Sequence, residues 1–380
     1  MQLSGLALQV DDKFEDSIDF GGTGTGTFRD GELSVSMQGL RIQGEHLPME
    51  INQDDLILGK RIGQGACSSV YKSRHKGTGQ HYAIKLFSVY DKERRSQLRK
   101  EISTLSGVMC DSLIAFYGAY QDSGKVGVIL EYMDRGSLEF MLDPHMEVSD
   151  YAMACISFQI MWGLAYLHHD NMLHRDIKPG NVLVNSYGQV KLSDFGIARA
   201  LDNSQAFSST SIGTFRYMSI ERLLGDEYNT SSDVWSVAVT LIEVWDKKYP
   251  FEDTSISPID LLQRLEDLAY SGFDEVIPRS CSRNMASFLS AALSADPKQK
   301  RKAEVYLEAA WFTENFLDID SAREGVATWL RDLESDRPGK KKYRKQSTYD
   351  EKHADDSDQY DSDFEEDEEE KGGDSFRYRK

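Results

Sequence analysis

The segment His174-Arg175-Asp176-Ile177-Lys178-Pro179-Gly180-Asn181, followed thirteen residues later by Asp194-Phe195-Gly196, decides the interpretation of this chain. A phosphoryl-transfer site needs a carboxylate that accepts the proton of the attacking hydroxyl, and it needs oxygen ligands for the metal ions that neutralise a triphosphate. Asp176 suits the first role, while Asn181 and Asp194 suit the second. Lys178 can reach the transferred phosphoryl group. The segment therefore predicts Asp176, Lys178 and Asn181 as catalytic residues, and Asn181 and Asp194 as metal ligands.

The order His-Arg-Asp-x-Lys-x-x-Asn and its distance from Asp-Phe-Gly resemble the eukaryotic protein kinases. The resemblance implies an α+β, two-lobed fold with a small β-rich N-lobe and a large α-helical C-lobe, placed here at residues 55–316. It also implies that the protein uses ATP and Mg²⁺.

The composition fits one two-lobed domain with tails. The chain has 380 residues, 40% of them apolar, which is enough for a sizeable core. Its net charge of −19 argues against a nucleic-acid-binding surface. The four cysteines have no metal-like spacing, and we find no apolar run long enough to span a bilayer. We expect an intracellular protein without membrane insertion, cytoplasmic and in addition partly nuclear.

Residues 1–54 are predicted to be a partly disordered regulatory extension. The glycine-rich residues 21–26 superficially resemble a phosphate-binding loop, but the acidic segment before them and the missing downstream lysine favour a flexible linker. Residues 27–42 alternate enough to predict a short hairpin, with turns at Asp30-Gly31 and near Gly39.

From Leu56 the pattern is strand, glycine turn, strand, which lets backbone N–H groups close over phosphates. Gly63 and Gly65 fit the first two glycines of such a loop, whereas Ser68 replaces the third. Lys85, in the next strand, can reach the α- and β-phosphates, and Glu101 in a helical segment is its expected ion-pair partner. The apolar strand 126–132 leads to a predicted hinge that offers its backbone to adenine, with Leu130 guarding the back pocket. The full set of residues expected around the nucleotide is Ile62, Gly63, Gln64, Gly65, Val70, Ala83, Lys85, Glu101, Leu130, Glu131, Met133 and Leu183.

Apolar residues at helical spacing predict the helices of the C-lobe. We expect a long buried helix that delivers the chain to His174, and a second one, opening at Asp233, to which the catalytic loop is tied. His168, His169 and His174 are interpreted as structural residues rather than metal ligands, because two of them are adjacent and point to different faces. The predicted helices span residues 151–168, 233–245, 258–268, 283–293, 303–316 and 320–333.

The segment 194–221 is rich in Ser and Thr and lacks the regular apolar spacing of a helix or strand, as expected of a mobile activation loop. Its end departs from the kinase pattern, because Ile220 stands where proline is usual. Glu221 is still expected to pair with a basic residue late in the domain, where the sequence offers Lys300 with Arg301 beside it.

Gly213-Thr214-Phe215-Arg216-Tyr217-Met218-Ser219 is similar to a segment of the mitogen-activated protein kinase kinases, and residues 116–119 and 131–138 point to the same family. The resemblance implies a dual-specificity enzyme that phosphorylates Thr and Tyr in a downstream mitogen-activated protein kinase. An upstream mitogen-activated protein kinase kinase kinase would activate it at Ser204 and Thr210, although Ser208, Ser209 and Ser211 leave the choice open. The alternatives are a related Ser/Thr kinase and a pseudokinase scaffold.

Two C-terminal segments complete the predictions. Residues 317–335 are predicted to be a docking helix for the upstream kinase with Trp329 as its anchor, and packing onto the C-lobe is the alternative. Residues 336–380 are predicted to be disordered, because a basic run at 340–345 and a tract with 13 acidic and 5 basic residues over 351–380 bury too little apolar surface.

Overall fold

The computed structural model describes residues 28–30, 33–36, 39–42, 51–65, 68–88, 98, 102, 105–106, 108–122, 124–194, 214–225, 229–251, 257–294 and 302–335. All of them belong to one compact unit. Glu101, Ser204, Thr210, Lys300, Arg301 and the tail from residue 336 lie outside the described residues.

The N-lobe is an antiparallel sheet of five strands in the order β4-β5-β6-β8-β7. Successive side chains of a strand point to opposite faces, and on one face of this sheet Tyr82, Ile84, Tyr120 and Ile129 form a small core with Ile51. On the other face, Ala119, Val126 and Val128 belong to the main core. The strands are β4 (Leu56–Gln64), β5 (Ser68–His75), β6 (His81–Ser88), β7 (Phe116–Asp122) and β8 (Lys125–Glu131).

The predicted N-terminal hairpin is a three-stranded antiparallel sheet instead, formed by β1 (Phe28–Asp30), β2 (Leu33–Ser36) and β3 (Gly39–Ile42). The prediction placed both turns correctly but counted one strand too few. This small sheet lies beside β7 of the N-lobe.

The C-lobe is helical and encloses the main core. Its first helix, α1 (Asp150–His169), is capped at its N-terminus by Ser149, whose hydroxyl accepts a hydrogen bond from Ala152 N. This helix is buried on nearly all sides, and a small sheet of β9 (Gly136–Ser137), β10 (Val182–Val184) and β11 (Val190–Leu192) lies beside it. The later helices are α2 (Ile220–Leu223), α3 (Thr230–Asp246), α4 (Pro258–Ser271), α5 (Arg283–Ala292), α6 (Ala303–Tyr306), α7 (Ala310–Thr313) and α8 (Ile319–Ser335).

The single helix predicted over 303–316 is wrong, because the structure has two short helices, α6 and α7. Tyr306 and Trp311 both pack against Phe288, with ring centroids 5.5 and 5.4 Å away. Residues five apart on a continuous helix lie roughly 140° apart around its axis, so one helix could not direct both rings to Phe288.

The last helix, α8, packs against α1 with its apolar face inward. Gly325 permits the close approach, since a Cβ there would overlap the sulfur of Cys155. Gly188, in the turn between β10 and β11, has φ of 78° and contacts the α8 backbone so closely that a Cβ would overlap the carbonyl oxygen of Arg323.

Trp329 is therefore not the exposed anchor that the docking hypothesis requires. Only 8% of its surface is exposed, its ring stacks on Phe140, and its Nε1 donates to the carbonyl oxygen of Glu147. Trp329 thus packs onto the C-lobe, as the alternative interpretation expects. A docking role would have to use the opposite face of α8.

Within the described ranges, no helix combines the length and apolarity that crossing a bilayer would require.

Candidate active site

The catalytic loop is tied to helix α3 through Asp233, which is fully buried. Its carboxylate accepts hydrogen bonds from the backbone N–H of His174 at 2.9 Å and of Arg175 at 2.8 Å. His168 Nε2, at the end of α1, lies 2.9 Å from the same carboxylate. Three contacts on one buried group fix the loop relative to both central helices. The structure thus places His168 and His174 in structural roles, while His169 is exposed.

Asp176 has an oriented carboxylate that remains partly open to solvent. Lys178 Nζ lies 2.9 Å from Asp176 Oδ2, and about a third of each side chain is exposed. Asn181 Nδ2 donates to the same oxygen at 2.9 Å and to the Asp176 carbonyl oxygen at 2.7 Å. The three residues predicted to be catalytic therefore form one hydrogen-bonded group.

Asp194 follows strand β11 and adopts φ of 59°, a left-handed backbone that is unusual outside glycine. Its Oδ1 lies 2.7 Å from Lys85 Nζ, so the lysine from the N-lobe meets the carboxylate from the C-lobe. Although burial raises the pKa of the Asp194 carboxyl, the charge and hydrogen bond of Lys85, with His174 and Lys178, hold that pKa below its usual value. Asp194 is therefore ionised at neutral pH.

Asn181 and Asp194 are connected through Ser193. The N–H of Ser193 donates to the Asn181 carbonyl oxygen at 2.9 Å, and its hydroxyl donates to the same oxygen at 3.1 Å. Because the amide nitrogen of Asn181 serves Asp176, its amide oxygen is the atom suited to a metal. An ionised carboxylate and an amide oxygen are ligands that Mg²⁺ accepts. The donor chemistry at this point fits the predicted metal site.

The strands bring the predicted nucleotide-binding residues together. Cross-strand pairing sets Gly63 opposite Val70 and Val70 opposite Lys85, so the glycine loop and the lysine share one edge of the cleft. Gly65 N donates to the carbonyl oxygen of Ser68 at 2.8 Å. This backbone contact does not require glycine at position 68, so the loop turn is compatible with Ser68.

The remaining cleft residues come from the hinge side. Ala83 pairs with Leu130 across β6 and β8, and Leu183 in β10 pairs with Ser137, just beyond the hinge. Met133, directly after β8, is buried. Ile62 and Gln64 lie in β4, where Ile62 is exposed, and Glu131 ends β8. Glu101, the expected partner of Lys85, lies outside the described residues.

The segment after the activation loop is anchored on α3. Tyr217 Oη donates to Glu243 Oε2 at 2.6 Å, and Ser236 Oγ donates to the Tyr217 carbonyl oxygen at 2.7 Å. Ile220 is the first residue of α2, the position where proline is also favoured, so the substitution leaves the helix start in place. Glu221 Oε1 accepts from Ser232 Oγ at 2.8 Å.

Sequence reasoning missed two residues that support the site. They are Ser193, described above, and Lys191, whose Nζ lies 2.8 Å from Oε2 of Glu131 at the hinge. A signal for Lys191 was available, because a charged residue interrupts the apolar strand Val190–Leu192 and so needs a partner.

The fold and the site define a protein kinase catalytic domain: a lysine from a β-rich lobe meets an ionised aspartate that is suited to a metal ion, beside a second aspartate held by a tethered loop. A family model described as protein kinase domain matches residues 56–312. Mitogen-activated protein kinase kinase 2 of Arabidopsis thaliana is 33% identical over 80% of this chain and 88% of its own length. Mitogen-activated protein kinase kinase SIPKK of Nicotiana tabacum is 32% identical over 78% and 88%. Mitogen-activated protein kinase kinase 1c of Physcomitrium patens is 36% identical over 60% and 71%.

The chain belongs to the mitogen-activated protein kinase kinase family, and it is an enzyme of the kinase class that uses ATP and a divalent metal ion.

Proposed function

We propose that this kinase phosphorylates both Thr and Tyr in the activation loop of a downstream mitogen-activated protein kinase. The observation that carries the proposal is the anchored segment Thr214–Tyr217 with Met218 and Ser219, which bears the family-specific sequence and is held on α3 beside the catalytic loop. Its position next to Asp176 suits it to receive a protein substrate.

The chemistry follows from the residues in place. Asp176, oriented by Lys178 and Asn181, accepts the proton of the attacking hydroxyl. Lys85 and the glycine loop hold the phosphates of ATP, and Asn181 and Asp194 would hold Mg²⁺. The ion, when bound, neutralises charge on the phosphates. Lys178 stabilises the negative charge that develops on the transferred group.

The test is an assay of the purified protein on a panel of catalytically inactive mitogen-activated protein kinases, with phosphosites mapped by mass spectrometry. We expect paired phospho-Thr and phospho-Tyr in one substrate loop, with Mg²⁺ supporting turnover. Phosphorylation confined to Ser and Thr of general substrates would favour a related Ser/Thr kinase. Nucleotide binding without any turnover would favour a scaffold.

We further propose that a mitogen-activated protein kinase kinase kinase activates this enzyme at Ser204 and Thr210. Two phosphates would add about −3 to −4 charge to the segment 194–221, and phosphates can order a loop by pairing with arginines such as Arg175 and Arg199. The double Ser204→Ala, Thr210→Ala protein should resist activation, and the double Asp protein should have raised basal activity. A triple Ala change at Ser208, Ser209 and Ser211 is the matched control, and loss of activation there would assign the sites to those serines instead.

We propose a cytoplasmic location with a nuclear fraction limited by the tail. The acidic residues 355–370 follow the basic run 340–345 by about ten residues of chain, and the two segments attract each other where they approach within about 10 Å, the distance beyond which salt at 0.1 M screens charge. Ser357 and Ser362 have downstream acidic residues, so acidophilic kinases could add further negative charge. Deletion of residues 355–370 should raise nuclear accumulation or lower KM for the substrate kinase. No change in either would make the tract a solvated tail.

A further inference from the structure

Lys191 is a charged residue in the middle of a buried strand. Its neighbours Val190 and Leu192 have no exposed surface, and the Lys191 side chain is 6% exposed. Its Nζ lies 2.8 Å from Oε2 of Glu131, which also accepts the N–H of Ala115 at 3.3 Å. A buried charge of this kind is tolerated only with a close opposite charge.

The ion pair joins two parts of the ATP site. Glu131 is the last residue of β8, where the predicted adenine-binding hinge begins, and Lys191 lies three residues before Asp194. The side chain of Glu131 thus faces the strand that carries the metal-binding aspartate.

Backbone hydrogen bonds connect the same two parts of the site, the hinge and strand β11. Residues 112–115 lie between the hinge and β11: Glu131 N donates to Ala115 O at 3.0 Å, Ile114 N donates to Leu192 O at 3.0 Å, and Leu192 N donates to Ser112 O at 2.9 Å. The ion pair is the side-chain link across this back wall of the cleft.

We propose that Lys191 and Glu131 are positioning residues that set the distance between the adenine-binding hinge and Asp194. The two charged groups contact each other, so both act through the backbone of the hinge and through the strand that carries Asp194. The inference rests on nucleotide binding by this site and is independent of the protein substrate.

A merely stabilising role is a poor explanation for the pair. Desolvation offsets most of the attraction in a buried ion pair, and neutral residues of similar volume often give equal or greater stability. A positioning role makes a different prediction, because a neutral pair would keep the fold and lose the fixed spacing.

The test is a binding measurement on the full chain with two ligands, ATP with Mg²⁺ and adenosine alone. ATP with metal must meet the hinge and Asp194 together, whereas adenosine meets the hinge only. In the double variant Lys191→Met, Glu131→Gln, we expect Kd for ATP with Mg²⁺ to rise about tenfold, since small displacements weaken a two-point contact. Kd for adenosine should stay within about twofold, and the melting temperature should not fall.

The double variant is used because Lys191→Met alone leaves a buried carboxylate without its partner and could fail to fold. Lys191→Arg keeps the pair and should bind ATP with Mg²⁺ like the wild type. Lys125→Met, at the exposed start of β8, is the matched control for loss of a lysine.

Unchanged Kd for both ligands in the double variant would overturn the proposal, and so would an equal rise for both, which would mean a distorted hinge rather than altered spacing. Failure of the wild type to bind ATP would instead overturn the proposed function, and the role of the pair with it.

Discussion

The side chains of Asp176 and Lys85 contribute positioned charge rather than core packing, because both retain access to solvent. Asp176→Asn and Lys85→Met should each lower turnover at least about 10²-fold, because positioned charges supply most of the catalysis in phosphoryl transfer. The melting temperature should change little. Asp170→Asn, which removes an exposed carboxylate at the end of α1, is the control and should retain full turnover. Near-native turnover in either active-site variant would contradict the assigned roles.

Glu243 is a buried carboxyl group that accepts a hydrogen bond from Tyr217, in the segment after the activation loop. Burial raises its pKa above the usual value; the Tyr217 hydrogen bond and the Arg216 charge oppose this, and Glu139 adds to it. The folded state therefore retains a proton that the unfolded chain releases above about pH 4.5. Glu243 thus destabilises the fold progressively as the pH rises from 4.5 through its folded pKa, and its effect is constant above that.

Glu243→Gln removes this titration and keeps an acceptor for Tyr217. The variant should gain stability over the wild type as the pH rises through that window, by up to about 1.4 kcal/mol per pH unit, in urea unfolding series. Glu266→Gln, the same change at an exposed site on α4, is the control for the substitution itself. A stability difference between Glu243→Gln and the wild type that stays constant across the window would show that burial does not perturb this carboxyl.

Helix α8 is held to the C-lobe by Trp329, which is buried, stacked and hydrogen-bonded. Trp329→Ala should lower the free energy of unfolding by about 3 to 5 kcal/mol, the usual cost of emptying a large aromatic site. Chemical denaturation measures it, with the exposed neighbour Thr328→Ala as the control. A stable Trp329→Ala protein that is poorly activated by its upstream kinase would restore the docking hypothesis for this residue.

Helices with a regular spacing of apolar residues could be predicted from the sequence. Elements whose bounds depend on contacts between residues far apart in the chain could not. Helices α1, α3, α4, α5 and α8 begin and end within about three residues of their predicted bounds, because caps such as Ser149 and apolar spacing are local signals. The break between α6 and α7 accompanies the contacts of Tyr306 and Trp311 with Phe288, which is distant in sequence and which no local pattern reveals. An amphipathic face predicted α8 but could not say whether Trp329 met its own lobe or a partner.

The same distinction holds in the active site. Motif order predicted Asp176, Asn181 and Asp194 as one site, and the structure brings these three residues together. The link from Lys191 to Glu131 joins residues sixty apart, so only the folded chain shows it.

Across the whole molecule, the folded unit begins earlier than the family match at residue 56. Ile51 is 4% exposed and completes the small N-lobe core with Tyr82, Ile84, Tyr120 and Ile129. Ile51→Ala should therefore lower the free energy of unfolding by about 2 to 5 kcal/mol, measured by denaturation. Ile259→Ala, the same change at a site 77% exposed, is the control. Equal stability of the two variants would place Ile51 outside the folded unit.

Gly188 makes the β10–β11 hairpin, which connects Asn181 to Asp194, depend on helix α8, which lies beyond the family match. Any side chain there would push the two apart and would also strain the left-handed backbone. In genetic terms, position 188 is a natural place for a conditional allele. Gly188→Ala would leave the catalytic residues unchanged and weaken the contact between the hairpin and α8. The result would be a temperature-sensitive kinase, active at low temperature and inactive on warming.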